Sequence, residues 1–217
     1  MFAASTPRHQ SLQTLAERVR PIAASRTRLL PVLPPIAALL PDGGLRRGTV
    51  VRCTGQAAPS LAMAVAAGPS AAGSWCGAVG MHEVGVLAAA GYGLDLERLV
   101  VVRAVPAEWA VAAAVLVDGL DLVVLSPPRH ARPAAARTLV ARARDRGAVV
   151  LVVEERPSFP AELELAVEVA QWQGLAEGAG RLRSRRVTVV ARGRGSAVRA
   201  VRQELWLPTA TGKVAAA

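Results

Sequence analysis

The 217-residue chain has few of the residues that several common functions require. Its two cysteines, Cys53 and Cys76, and its three scattered histidines do not have the spacing of a zinc site. Aromatic residues make up only 3% of the chain, so the core must be built mainly from Val, Leu and Ala. The first twenty residues lack a signal-peptide pattern, and no apolar run has membrane character. We therefore expect a cytoplasmic protein with two buried, unlinked thiols.

Acidic residues are also scarce. The chain has 26 Lys and Arg residues against 16 Asp and Glu, which gives a net charge of +10, and its only lysine is Lys213. A GC-rich genome favours arginine and accounts for part of this bias. The remaining excess favours an acidic partner, either nucleic acid or an acidic protein surface.

Proline and glycine divide the chain into three predicted segments. Residues 1–34 are interpreted as an N-terminal helix and a proline-rich linker, residues 35–208 as the main domain, and residues 209–217 as a disordered tail. The helix carries a narrow apolar stripe of Leu12, Leu15 and Val19. This stripe is a candidate for partner binding, and its alternative is packing against its own domain.

The main domain begins with short Val/Leu-rich runs that alternate with helical segments. Such runs are typical of a parallel sheet covered by helices on both faces, with right-handed crossovers. After Arg156 the pattern changes to antiparallel strands joined by a glycine-rich turn. The predicted strands are 49–53, 75–79, 99–103, 122–125 and 148–153, followed by 163–172, 187–191 and 201–207.

The first of these strands runs into a damaged phosphate-binding loop. An intact loop of the form G-x-x-x-x-G-K-[ST] brings backbone N–H groups, a lysine and a hydroxyl to the phosphates and Mg²⁺. Here the first glycine is Gly55, but the second glycine is replaced by Ser60, the lysine by Leu61 and the hydroxyl residue by Ala62. We therefore predict no cofactor, no ATP hydrolysis and no enzymatic activity.

Three further segments give this loop its context. Gly44–Val51, Gly93–Leu99 and Asp121–Ser126 resemble, in order and spacing, motifs of RecA-type recombinases, so residues 35–155 resemble that family. The resemblance implies an α/β fold, a RecA-like three-layer sandwich with a mainly parallel central sheet and antiparallel C-terminal strands. It also implies that Ser126 replaces the aspartate that holds Mg²⁺. His82 occupies the position at which the family has its catalytic carboxylate, and Glu83 lies one position further along the chain.

The implied strand order also bears on the cysteines. It places two strands between those of Cys53 and Cys76, so the two residues lie roughly 14 Å apart, at about 4.8 Å a strand. A disulfide requires Cα atoms within about 7 Å. We therefore expect no bridge between them.

A short, Arg-rich RecA relative without a working loop resembles the ImuA-type accessory proteins of the bacterial mutasome, particularly the actinobacterial form. The closing segment Glu204–Pro208 resembles that group as well. The resemblance implies a damage-induced, non-catalytic adaptor that binds an ImuB-like Y-family polymerase relative and an error-prone C-family DNA polymerase. Alternatives are a DNA-binding module on recombination filaments, association with RecA or with itself, a SulA-like cell-division inhibitor, and an enzyme with residual nucleotide binding.

Arginines are concentrated in the last forty residues of the chain. Alternate spacing at 181, 183 and 185 predicts three guanidinium groups on one face of a strand. The patch is interpreted either as a nucleic-acid surface or as a solvated sheet edge protected by charge. Only Trp172 and Trp206 lie nearby and both fit a core equally well, so base stacking is not supported. The candidate nucleic-acid-binding residues are Arg181, Arg183, Arg185, Arg192, Arg194 and Arg199.

Overall fold

The computed structural model describes residues 28–81, 85–176, 179–193 and 199–217. Several residues singled out from the sequence lie outside these ranges and are not placed. They are Leu12, Leu15, Val19, His82, Glu83 and Arg194.

Eleven strands are present in the described ranges. Val-rich, β-branched runs form the central ones, in agreement with their high strand propensity. The strands are β1 (Leu29–Pro31), β2 (Gly44–Arg46), β3 (Val50–Thr54), β4 (Cys76–Val79), β5 (Leu99–Val102), β6 (Leu122–Leu125), β7 (Val149–Val153), β8 (Leu163–Ala176), β9 (Ala179–Gly193), β10 (Val201–Trp206) and β11 (Ala215–Ala216).

Nine of these strands form one sheet in the order β11-β10-β9-β8-β3-β7-β6-β4-β5. The six strands from β8 to β5 are parallel, whereas β9, β10 and β11 extend the sheet by antiparallel pairing. Strands β7 and β6 lie between β3, which carries Cys53, and β4, which carries Cys76. The predicted fold class and the predicted separation of the cysteines are therefore confirmed, and both thiols are free and buried.

Helices cover both faces of this sheet. The helices are α1 (Pro34–Ala37), α2 (Ala58–Ala71), α3 (Val86–Tyr92), α4 (Trp109–Gly119) and α5 (Pro133–Arg146), with a 3₁₀ turn at Leu96–Arg98. Helices α2 and α3 pack into one apolar core, and α4 and α5 pack into a second core on the opposite face. No helix in the described ranges is long and apolar enough to cross a membrane.

The two ends of the chain differ from their predictions. The segment 29–31, assigned to a linker, is strand β1 and pairs with β2. The prediction of a disordered tail at 209–217 is wrong, because β11 pairs with β10 and Val214 packs against the first core. The tail also folds back on itself, with Thr209 N–H donating to Lys213 O at 2.7 Å. A short Thr/Ala/Gly segment has no apolar period from which this pairing can be predicted.

Candidate functional site at the carboxyl edge of the sheet

The loop after β3 is too short to surround a polyphosphate. Helix α2 begins at Ala58, only three residues after Gly55. Two N–H groups at the start of α2 already have acceptors in the loop: Ala58 N–H donates to Gly55 O at 3.0 Å, and Leu61 N–H donates to Ala57 O at 2.9 Å. Pro59 has no N–H to offer. A phosphate-binding loop requires free, converging N–H groups, and the short segment between β3 and α2 already uses the N–H groups of Ala58 and Leu61 in bonds within the chain.

The positions that would bear the lysine and the hydroxyl belong to the core. Leu61 and Ala62 are both 0% exposed, and every residue of α2 from Leu61 to Ser70 is buried. Gly55 has a φ of +90°, and a Cβ there would overlap the carbonyl oxygen of Val167 on β8. This glycine therefore serves the close packing of the loop against the neighbouring strand.

A small pocket lies beside this edge, at the carboxyl ends of β4, β5 and β6. Its volume is about 200 Å³, and it is lined by Gly80, Ala104, Pro106, Trp109, Ser126, Pro127, Pro128 and Arg129. None of these described lining residues is acidic, so they offer Mg²⁺ no carboxylate beside the strand-end residue Ser126. No group of three potential metal-ligating side chains occurs in the described parts of the chain. Trp109 is 3% exposed, and its ring N–H has no acceptor among the described residues.

The glycine and aspartate positions that carry the sequence resemblance have structural roles. A Cβ on Gly44 would be 2.8 Å from Leu30 O on β1. Gly48 has a φ of +77° and lies close to the backbone of Arg144 in α5. Gly93 ends α3 in the left-handed conformation. The side chain of Asp95 accepts from Glu97 N–H at 3.0 Å and begins the 3₁₀ turn. These motifs build the frame of the fold and do not depend on nucleotide chemistry.

A polar cluster ties β3 to its neighbours. The Arg52 side chain is 13% exposed and donates to Glu154 at 2.9 Å and to Glu164 at 3.1 Å, while a third donor reaches the backbone oxygen of Phe159. Glu154, with a side chain only 5% exposed, also accepts from Ser158 N–H at 3.1 Å. The donors and acceptors satisfy one another, so this cluster is a structural feature. No sequence motif predicted this cluster.

The structure divides the candidate nucleic-acid-binding arginines into distinct groups. Arg192 is paired with Glu168 at 2.8 Å, whereas Arg181, Arg183 and Arg199 are exposed without an ion pair in the described chain. Arg185 is only 9% exposed, so the prediction that it presents its charge with Arg181 and Arg183 is wrong.

Arg185 is buried because parts of two other segments contact its side chain. The Nε of Arg185 donates to Leu207 O at 2.8 Å, and its guanidinium lies 4.8 Å from the ring centroid of Trp172. Burial lowers the pKa of Arg185 from its ordinary value. A register shift between Gln173 and Leu175 also interrupts the regular alternation.

Solved structures with the same architecture place the chain in a class. A KaiC-like protein, PH0186 from Pyrococcus horikoshii OT3, superimposes with a TM-score of 0.60 at 14% identity, over 88% of this chain and 99% of that one. The RadB recombinase superimposes with a TM-score of 0.58 at 15% identity, over 83% of this chain and 95% of that one. The fold is therefore RecA-like.

Within this class the chain belongs to the family of the MT3502 N-terminal domain, which matches residues 38–158, more than half of its length. A relative is the uncharacterized protein Rv3395c of Mycobacterium tuberculosis (strain ATCC 25618 / H37Rv), 42% identical over 119 residues. That match spans 54% of this chain and 57% of the relative.

Proposed function

We propose that this chain is a non-catalytic RecA-like adaptor of the ImuA type, which binds an ImuB-like Y-family polymerase relative in a DNA-damage-induced mutasome. The observation that carries the proposal is the short loop after β3, in which the positions of the lysine and the hydroxyl residue are buried. Leu61 and Ala62 stand where an intact loop has the lysine and the hydroxyl residue used in phosphoryl transfer. Both are buried in the core of this RecA-like fold. What such a frame retains is a rigid surface on which other proteins assemble.

The surface of the described chain supports a protein partner. Strand β5 is the terminal strand of the large sheet, so one side of its backbone has no strand partner in the described chain. Its sequence is Leu-Val-Val-Val, without the charge that usually protects an edge. Val101 of β5 is exposed, and so are other large apolar residues that lie before or after β5 in sequence: Val86, Leu87, Leu96, Val105 and Val111. Exposed apolar side chains and an unprotected sheet edge are typical of an interaction site.

The test is capture of the partner from damaged cells. Tagged full-length protein should co-purify with an ImuB-like polymerase relative, and with a C-family polymerase, after DNA damage. Val101→Lys should weaken this capture at least tenfold, because it adds an ammonium group to the sheet edge. Thr138→Lys makes a similar change on the exposed face of α5 and should leave the capture unchanged. A full chain that captures no polymerase-family protein after damage contradicts the proposal.

A second arm of the test concerns the N-terminal stripe. Leu12→Asp with Leu15→Asp should reduce capture if the predicted helix docks on the partner, while the melting temperature stays that of the parent. Equal capture by this variant assigns the docking to the described domain alone. Purified protein should hydrolyse no ATP in the presence of Mg²⁺, and metal-dependent turnover that is lost in Gly55→Val would contradict the non-catalytic assignment.

A further inference from the structure

The distal part of the β8–β9 hairpin is an extension of the sheet with an unusual surface. We call it the arm, formed by residues 171–176 of β8 and 179–186 of β9. Within it Trp172 pairs with Arg185 and Gln173 pairs with Ser184. All residues from 179 to 183 are exposed, so the arm extends beyond the two cores.

Trp172 is held in place although it is on the surface. The residue is 43% exposed, and the guanidinium of Arg185 lies over one face of its ring, 4.8 Å from the ring centroid. Arg185 is itself fixed to the segment that follows β10, because its Nε donates to Leu207 O and its backbone N–H donates to Pro208 O, both at 2.8 Å. The indole is therefore a supported aromatic surface, and little ordering entropy is lost when a ligand stacks on it.

Positive charge lies beside this ring, and no acidic residue of the described arm accompanies it. Arg183 lies across Gly174, two residues from Trp172, since a Cβ on Gly174 would be 2.9 Å from Arg183 Cγ. Arg181 and Arg183 are exposed and form no salt bridge in the described chain, and no described residue of the arm is acidic. By contrast, Arg186 at the base of the arm is paired with Glu204.

We infer that the arm binds single-stranded nucleic acid, with a base stacked on the open face of Trp172 and phosphates beside Arg181 and Arg183. A stacking aromatic next to unpaired basic groups is the combination that single-strand binding requires. A duplex keeps its bases stacked on one another and offers the indole no free base face. Leu175 and Leu182 add exposed apolar surface to the arm. The exposed guanidinium groups of Arg181 and Arg183, with no acidic residue in the described part of the arm, nevertheless favour a polyanion as the ligand. This inference goes beyond the adaptor role and does not depend on it.

The experiment uses purified full-length protein and a fluorescein-labelled 20-mer of deoxythymidine, followed by fluorescence anisotropy at several salt concentrations. Trp172→Ala should weaken binding by about 5- to 150-fold, the loss expected for one stacked base. Trp172→Phe should retain most of the affinity, because phenylalanine still offers a stacking face. The same sequence as a duplex should bind more weakly than the single strand.

The charge is tested separately, with variants that leave the packing of Arg185 intact. Arg181→Gln with Arg183→Gln should reduce the slope of log affinity against log salt by about 1.4, since each phosphate contact of a single strand contributes about 0.7. Arg137→Gln removes an exposed arginine from α5 and should leave the slope unchanged.

Three results overturn the inference: no binding of the 20-mer at low salt, equal binding by the parent and Trp172→Ala, or equal slopes for the double variant and Arg137→Gln. A shift from dimer to monomer in sedimentation of Trp172→Ala, with unchanged DNA binding, assigns the arm to self-association instead. None of these measurements involves a polymerase, so their failure leaves the adaptor proposal standing.

Discussion

Introducing the missing lysine should destabilise the protein and should not create a nucleotide site. In an intact loop, a lysine at position 61 would face phosphate, but here the residue is 0% exposed within the first core. If burial lowers the pKa of the new amine by about 3 units, Leu61→Lys costs about 4 kcal/mol at pH 7, at 1.36 kcal/mol per unit. That is a large part of the 5–15 kcal/mol typical of a domain.

The pH dependence identifies burial of the amine as the cause. A lysine whose folded pKa is lowered leaves the unfolded state binding more protons, so stability falls as pH falls below about 10.4. Relative to Leu61→Met, which keeps the volume, the deficit should shrink from about 4 kcal/mol at pH 7 to less than about 1 kcal/mol at pH 10. Urea unfolding followed by circular dichroism measures both values.

A neighbouring substitution provides the control. Ser60→Lys places the same group on a partly exposed residue, and should change stability by less than about 1 kcal/mol. If Leu61→Lys is as stable as Leu61→Met at pH 7, or if Mg²⁺·ATP raises its melting temperature, the lysine reaches solvent or phosphate. The described geometry of the loop would then be wrong.

Three further predictions concern the rest of the fold. Burial raises the pKa of both Cys53 and Cys76 to about 12, so neither thiol should react with iodoacetamide in the native protein at pH 8, whereas both should react in urea; fast native labelling would contradict the burial. Arg52→Met should lower the free energy of unfolding by about 3–5 kcal/mol, because it leaves Glu154 buried without its cation. Arg46→Met breaks the exposed pair with Asp42 and should lower it by less than about 1 kcal/mol in the same urea assay. Equal losses would refute the distinction. Deletion of residues 209–217 should lower the melting temperature by several degrees, because it removes β11 and Val214 from the sheet and the core; an unchanged melting temperature would show that this segment contributes nothing to stability.

Much of the fold could be predicted because neighbouring residues determine it. Short Val-rich runs between helical segments predict a parallel sheet, and strands such as 122–125 end where the pattern ends. The loss of the phosphate loop is also local, because Ser60, Leu61 and Ala62 lack the required chemistry whatever surrounds them. The order of strands, and with it the separation of Cys53 from Cys76, followed from a family resemblance.

The remaining features depend on contacts between residues distant in the chain. Arg181, Arg183 and Arg185 are equivalent in a strand pattern, yet Arg185 is buried because it contacts Trp172 of β8 and Leu207 O in the segment after β10. The sequence pattern around Trp172 is compatible with a core position. The residue is nevertheless exposed, because the β8–β9 hairpin extends beyond the two cores. The tail is ordered because β10 presents a free edge to it. Local pattern thus determined the elements of this protein, whereas tertiary packing decided which side chains face solvent, because exposure depends on what lies opposite each residue.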